Sequence, residues 1–492
     1  MKVVVFDDDP TGSQTVHSCP LLLATDVASL RHGLAHASPL LFVLVNTRAL
    51  EPAAARDTVE TICCNLRSAL DQIAAAEPAL AARLQPLLLV SRGDSTLRGH
   101  FPLELEAIET ALAQVPPPWG GPVDARFLVP AFLPGGRTTV GGVHLLHGEP
   151  VHTSAFARDR LFGYSSSDLT AYIEAKSGGR VPAATVQRLT LAELDAALDG
   201  QGQPGGPGLE ALCTRLAELA PGAWVVVDAE RPQQLSALGA AVRKLMAPAA
   251  AERWGRPRRF LFQAAASLLN GLVELGEQPL AARAFAGLRR TGPAGDPLPA
   301  LVLVGSHVPL ADAQLAHLLQ AVPDCALVEI DVAKLARVLE GPAPAALLAS
   351  LEAAWLARVR ELLAAGQTPV LASSRGELTC ASPAERRRLG LELAALMARL
   401  AAAVAPELGV VISKGGITTH TLLADGLRCR AVALQGQLLP GLSLVLTGPE
   451  AVVSDLPVLT FPGNLGEPQT LAQALALLRG TPQPPRPGPP GC

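Results

Sequence analysis

Aromatic side chains are scarce, with Phe, Trp and Tyr making up only 3% of the chain, and charged residues are sparse at 17%. Low charge beside 49% hydrophobic residues excludes an intrinsically disordered chain, because enough apolar surface is available to offset the entropy of ordering. No run of about 18 uninterrupted apolar residues occurs, so no membrane-spanning helix and no membrane partner is expected. The amino terminus enters a strand-like KVVVF in place of a charged leader, and a cytoplasmic location is the expectation. No concentrated Lys/Arg stripe exists and the formal net charge is −4, which excludes nucleic acid as a partner. The eight cysteines include no CxxC pair, and no His cluster has zinc spacing, so reduced structural thiols and no protein-built metal site are expected.

What is present is a repeated grammar of short apolar runs that end in polar or Gly residues. VVVF before DDDPTG opens the series; LLFVLVN (40–46), LLLVSRGD (87–94), ARFLVPAF (125–132), WVVVDAE (224–230), LVLVGSH (301–307), TPVLASSR (368–375) and LGVVISKGG (408–416) continue it. Ala/Leu-rich stretches with helical spacing lie between them, for example 52–84, 103–114, 232–247, 310–321, 344–365 and 384–404. Alternating strand and helix predicts an α/β fold of two domains, each built on a mainly parallel sheet flanked by helices. Two domains also follow from length, since one core rarely serves more than roughly 300 residues. The Pro/Gly-rich stretch RRTGPAGDPLPA (289–300) marks the boundary, giving domains over 1–290 and 291–480, and TPQPPRPGPPGC (481–492) is expected to be a disordered tail.

Ligands of open α/β sheets bind beyond the carboxyl ends of the strands, which selects three clusters. FDDDPTGSQTVH (6–17) places Asp7, Asp8 and Asp9 together, where mutual repulsion is tolerable if a cation or polyhydroxylated ligand sits among them; an acidic turn with Asp9 capping a helix is the structural alternative. SRGDSTLRGHFPLE (91–104) crowds Arg92, Gly93, Asp94, Ser95, Thr96 and Arg98 into one turn, a mixture suited to gripping a carboxylate and hydroxyls together, or else an N-cap with surface arginines. Arg48 projects at another strand end. SKGGITTH (413–420) combines Lys414, Gly415, Gly416 and Ile417, so that backbone N–H groups approach an anion closely, although the P-loop spacing is absent and a plain tight turn is the alternative. GSH (305–307), SSRG (373–376), LPGLSLV (439–445) and FPGNLGE (461–467) add small-residue approaches in the same half.

DDDPTGSQ, NTR around Arg48, DSTLRGH, KGGIT and PGNLG resemble, in order and across nearly the whole chain, the four-carbon acid sugar kinases, a family that includes 3-oxo-tetronate, D-threonate and D-erythronate kinases. The resemblance implies an amino-terminal acid-sugar-binding domain, a carboxyl-terminal ATP-binding domain, and phosphoryl transfer to a terminal hydroxyl with ATP and Mg2+. It implies substrate contacts at Asp8, Asp9, Arg48 and Arg92 to Ser95, and nucleotide contacts at Ser306, Lys414 to Ile417 and Gly463. The chain departs from the usual family pattern at Pro10, Arg92 and Lys414, and the stretches near 115–190 and 250–290 have no family counterpart that can be placed. In the mechanism expected, Arg48, Arg92 or Arg98 clamps the substrate carboxylate and Asp94 accepts the hydroxyl proton, with Asp9 a second candidate. Oligomeric state is left open, a homodimer being common for small-metabolite enzymes. The rival is a haloacid-dehalogenase-type phosphatase, for which VVVFDDDPT supplies Asp7 as nucleophile, Asp9 as general acid and Thr11 as a phosphate contact.

Overall fold

The computed structural model describes residues 1–9, 12, 15–115, 119–340, 343–375 and 383–480. Pro10, Thr11, Ser13, Gln14 and the tail at 481–492 lie outside the described residues. The chain forms two compact units, Met1–Glu277 and Gln278–Cys492. That division falls before the Pro/Gly-rich stretch at 289–300. The physical reason is Phe285, which is buried in the second core with Val302, Leu459 and Leu475 and draws the segment before the stretch into the second unit.

The first unit is built on β1 (Lys2–Asp7), β2 (Cys19–Leu22), β3 (Leu40–Leu44), β4 (Leu87–Arg92), β5 (Ala125–Val129), β6 (Arg137–Val140), β7 (Val143–Leu146), β8 (Glu149–Pro150), β9 (Gln187–Leu189), β10 (Ala223–Val227) and β11 (Phe260–Ala264). Eight of these make one sheet in the order β2-β3-β1-β4-β11-β5-β10-β9, and every pairing is parallel. Parallel strands covered on both faces must be apolar throughout, and KVVVFD accordingly buries all six residues of β1. β6, β7 and β8 form a separate antiparallel sheet.

The second unit contains β12 (Ala300–Val304), β13 (Cys325–Ile330), β14 (Thr368–Ser373), β15 (Val410–Lys414), β16 (Ala431–Leu439), β17 (Leu442–Thr447) and β18 (Pro457–Phe461), in the order β13-β14-β12-β15-β18-β17-β16. The first four pairings are parallel and the last two antiparallel. LPGLSLV is therefore the turn and second arm of the β16–β17 hairpin, whereas the sequence reading counted it among the ligand-approaching loops. The stretch Arg388–Glu407 is long and apolar enough to cross a membrane by composition, yet more than half of it is buried inside the fold, as in a core helix.

The scarce aromatics are concentrated where they pack best. Phe127 of β5 stacks on Phe262 of β11 with ring centroids 4.7 Å apart and meets Phe260 edge-on at 5.4 Å. Phe127→Ala should cost about 3–5 kcal/mol through lost contacts and the cavity left behind. A thermal melt followed by circular dichroism should show the first unit unfolding roughly 10 °C earlier; an unchanged transition would contradict this placement of the core.

Candidate active site

β3, β1 and β4 are adjacent and parallel, with Asp7 in register with Leu44 on one side and Arg92 on the other. Side chains that follow these three strands therefore converge at one end of the sheet. Arg48 is paired with Asp9, lies 3.9 Å from Asp8 and reaches Asp94 Oδ1 at 3.6 Å. Arg92 Nη1 lies 3.5 Å from Asp7 and 3.4 Å from Asp8. Arg98 Nε donates to Asp94 Oδ2 at 2.7 Å, and the Thr96 hydroxyl donates to the same oxygen. Four aspartates and three arginines thus share one site, and the structure brings together Asp8, Asp9, Arg48, Arg92, Asp94 and Arg98 as the sequence suggested.

Their electrostatics differ sharply. Burial alone would raise the Asp94 carboxyl, but the charges of Arg98 and Arg48, with hydrogen bonds from Arg98 and Thr96, outweigh it and hold the group well below the usual carboxylate range. Asp7 is fully enclosed and goes the other way, to about 8, because burial and the neighbouring Asp8 charge outweigh Arg92. Burial also raises Asp8, against Arg48 and Arg92. Asp94 is therefore an ionised carboxylate at neutral pH and Asp7 a neutral one, and Asp7 Oδ2 has no hydrogen-bond partner among the described residues.

Several residues that build this site were not singled out from sequence. The neutral His144 ring, pushed down to about 4 by burial, accepts at Nδ1 from Thr139 Oγ1 (3.0 Å) and donates from Nε2 to the Ser95 carbonyl (2.8 Å). Tyr164 Oη donates to the Thr96 carbonyl at 2.7 Å, and Tyr172 Oη to the Leu97 carbonyl at 2.9 Å. Three successive carbonyls of the DSTLRG turn are thereby held from residues 144–172, a stretch with no counterpart placed from sequence but one that the family match reported below includes, and this restrains Leu97 at a left-handed φ of 65°. Ser95 itself is buried beneath this network. Glu104 accepts from Thr47 Oγ1 (2.6 Å) and Ser91 Oγ (2.8 Å), tying the end of β3 to β4. Gly93 donates its N–H to Ala264 at 2.9 Å, and a pocket beside it is lined by Asp94, Arg98, Tyr172 and Gln263. Gln263 Oε1 is a buried acceptor there without a partner among the described residues. The only sequence signal for these groups is chemical: a His, two Tyr, a Glu and a Gln in otherwise apolar surroundings.

In the second unit the ends of β14, β12, β15 and β18 lie side by side. Ser306 follows β12, Gly415 follows β15 and Gly463 follows β18. A Cβ on Gly463 would lie 2.4 Å from Ser306 Oγ, and Gly415 at φ 119° donates its N–H to the Phe461 carbonyl at 2.9 Å. Gly416 opens a short helix, Gly416–Thr421, on which Ile417 is 49% exposed. Lys414 departs from the expectation of a point charge offered to an anion. Its side chain is completely buried, its Nζ donates to the carbonyls of Pro462 (3.0 Å) and Gly463 (3.2 Å), and it lies 4.0 Å from the centre of the Phe461 ring. Burial, with Arg375 nearby, pushes the amine down to about 7. Lys414 fixes the turn that carries Gly463. Arg375 Nη1 similarly donates to the Ser306 carbonyl at 2.7 Å, and Ser373 Oγ pairs with His307 Nε2 at 3.0 Å.

A family model described as a sugar-binding N-terminal domain matches residues 3–272, and one described as a nucleotide-binding C-terminal domain matches residues 301–471. Fold and strand-end sites thus define a two-domain protein with one domain of each kind. The chain belongs to the four-carbon acid sugar kinase family. It is 31% identical over 202 residues to a D-erythronate kinase of Heliobacterium modesticaldum, an alignment that spans 40% of this chain and 41% of that relative. Its fold is similar to a crystal structure from Salmonella typhimurium LT2 (TM-score 0.61, 17% identity, 96% of this chain and 98% of that one). A Haemophilus influenzae protein of the DUF1537 family is also similar (TM-score 0.55, 14% identity, 96% and 100%).

Asp7 makes stability depend on pH. Its carboxyl ionises near 3.8 when exposed but near 8 in the folded chain, so the folded state loses stability as pH rises between these values. Asp7→Asn cannot ionise. Its melting temperature should match that of the unmodified protein near pH 4 and exceed it increasingly up to about pH 8. A constant offset across that range in differential scanning calorimetry would contradict the neutral Asp7.

Proposed function

We propose that this protein is an ATP-dependent kinase that phosphorylates the terminal hydroxyl of a four-carbon sugar acid, a tetronate or oxo-tetronate. The observation that carries the reading is the Asp94 carboxylate, kept ionised by Arg48, Arg98 and Thr96 at the strand ends of a domain whose family description is sugar-binding. The partial similarity to a D-erythronate kinase supports the substrate class.

Asp94 accepts the proton of the attacking hydroxyl, with Asp9 as the second candidate. The arginines that hold Asp94 ionised also lower its basicity, which suits phosphoryl transfer: a loose transition state asks for an oriented hydroxyl more than for a strong base. Asp8, Asp9 and the unpaired Gln263 Oε1 accept hydrogen bonds from the other hydroxyls of the substrate. Arg48 and Arg98, whose side chains are 21% and 22% exposed, are within reach of a substrate carboxylate, whereas Arg92, at 5%, is committed to Asp7 and Asp8. Gly93 and Ser95 shape the turn that presents Asp94.

In the second unit the amides at Gly416 and Ile417 and the hydroxyl of Ser306 hold the phosphates of ATP, while Gly415, whose own N–H is taken by the Phe461 carbonyl, sets the bend of the turn. Gly463 keeps the approach open and exposed Ile417 offers apolar contact to the base. Lys414 acts by positioning this turn. ATP carries Mg2+ with it, and the cation neutralises charge on the transferring phosphoryl group. Mg2+ would be held largely through phosphate oxygens and water.

An ADP-release assay with D-threonate, D-erythronate and their oxo derivatives tests the reading: ADP should form only when an acid is present, and hydrolysis of p-nitrophenyl phosphate without ATP would favour the phosphatase instead. Asp94→Asn should lower kcat at least about a hundredfold with little change in melting temperature; unaltered kcat would remove Asp94 as the base. Gly463→Val forces a side chain against Ser306 and should raise the KM for ATP severalfold at unchanged sugar-acid affinity. An equal effect on both substrates would contradict the assignment of this turn to the nucleotide.

A further inference from the structure

Arg137, the first residue of β6, is 6% exposed and carries a guanidinium that no protein chemistry deprotonates. Its Nη1 reaches the carbonyl of Gly135 at 2.6 Å, its Nε has no hydrogen-bond partner among the described residues, and the head lies 5.7 Å from the Phe132 ring centre. None of the ion pairs among the described residues includes it. Arg48, Arg92 and Arg98 each pair with aspartates of the cluster. Burying an unpaired charge is strongly unfavourable, and nothing in the packing of β6 demands a cation there.

The local chain is nevertheless shaped around it. A Cβ on Gly135 would lie 2.0 Å from Arg137 Nη1, so only glycine lets the guanidinium fold back over the turn. The hairpin is also fixed to the active-site loop, since Thr139 holds His144 and His144 holds the Ser95 carbonyl. At that position the charges of both Asp94 and Arg98 act on Arg137. Arg98, hydrogen-bonded to Asp94, and Arg137, within range of both their charges, are therefore like charges that repel each other, and Arg137 has an unfilled donor at Nε. An anion bridging Arg98 and Arg137 would relieve the repulsion and satisfy the free N–H groups.

We infer that Arg137, together with Arg98, seats the carboxylate of the substrate and so makes the site selective for acids over neutral polyols. This rests on the sugar-acid reading proposed above. Arg137 is a substrate-binding and specificity-determining residue in it, and the acid end is fixed on the β6–β7 hairpin while the hydroxyl end meets Asp94.

The test measures binding of D-threonate and D-erythronate to the full chain by calorimetry, with erythritol as the neutral control. Arg137→Met keeps the apolar stem and removes the charge. It should weaken binding of the preferred acid at least about tenfold, leave erythritol binding unchanged, and leave the melting temperature equal or higher because an unpaired buried charge is gone. Gly135→Ala, which displaces the guanidinium without deleting it, should reproduce the loss and carries the test if Arg137→Met does not fold. Unchanged acid affinity in the variants, equal losses for acid and erythritol, or an unmodified protein that binds the acids no better than erythritol would overturn the inference. Acid binding that depends on Arg137 in a protein that forms no phosphorylated product would sink the kinase reading and leave this inference standing. Phosphorylation of an acid with the same KM in both proteins would do the reverse.

Discussion

Asp7, Asp8, Asp9 and Asp94 crowd four carboxylates onto the ends of two adjacent strands, and only the guanidinium groups of Arg48, Arg92 and Arg98 make that crowding tolerable. The rest of the first unit serves this neutralisation. Placing β3, β1 and β4 side by side delivers one partner from each strand end, and burial then sorts the carboxylates into different states. Asp94, with two arginines and a hydroxyl, remains an anion; Asp7, enclosed and facing another carboxylate, holds a proton. Opposed shifts within one cluster are how a protein obtains distinct chemical roles from identical side chains.

In the function proposed, the second unit meets a different problem, which is to bring backbone close to a polyanion without side chains in the way. Small residues at Ser306, Gly415 and Gly463 meet at three neighbouring strand ends, and the charged groups nearby face inward. Lys414 and Arg375 are used to hold carbonyls of the surrounding turns. In the proposed nucleotide site, electrostatic support for phosphate would therefore come from oriented peptide groups.

Much of this was legible from sequence because parallel strands announce themselves. Continuous apolar runs such as KVVVF and LLFVL are needed where both faces are covered, and the polar residues ending them lie at the binding edge by topology. The DSTLRG turn was legible for the same reason. What escaped were elements without that grammar. β11 (FLFQA) begins after a basic stretch and carries Gln263, and the β16–β17 hairpin alternates and bends around Gly436, so it reads as loop. His144, Tyr164 and Tyr172 act on Ser95, Thr96 and Leu97 across 49, 68 and 75 residues of sequence, a distance no local pattern encodes. Lys414 misled because a lysine beside paired glycines suggests phosphate, while the sheet turns its side chain into the core. The domain boundary was drawn at the conspicuous Pro/Gly stretch, although the packing of Phe285 sets the division earlier.

The central claim is that the chain joins the γ-phosphate of ATP to a primary hydroxyl of a sugar acid. Phosphorus-31 NMR of the full chain incubated with ATP, Mg2+ and the tetronate panel reads this directly. A kinase of this kind gives a new phosphomonoester resonance coupled to two protons of a terminal CH2 group, growing as ADP appears. Growth of inorganic phosphate alone, or an ester coupled to a single proton, would contradict it.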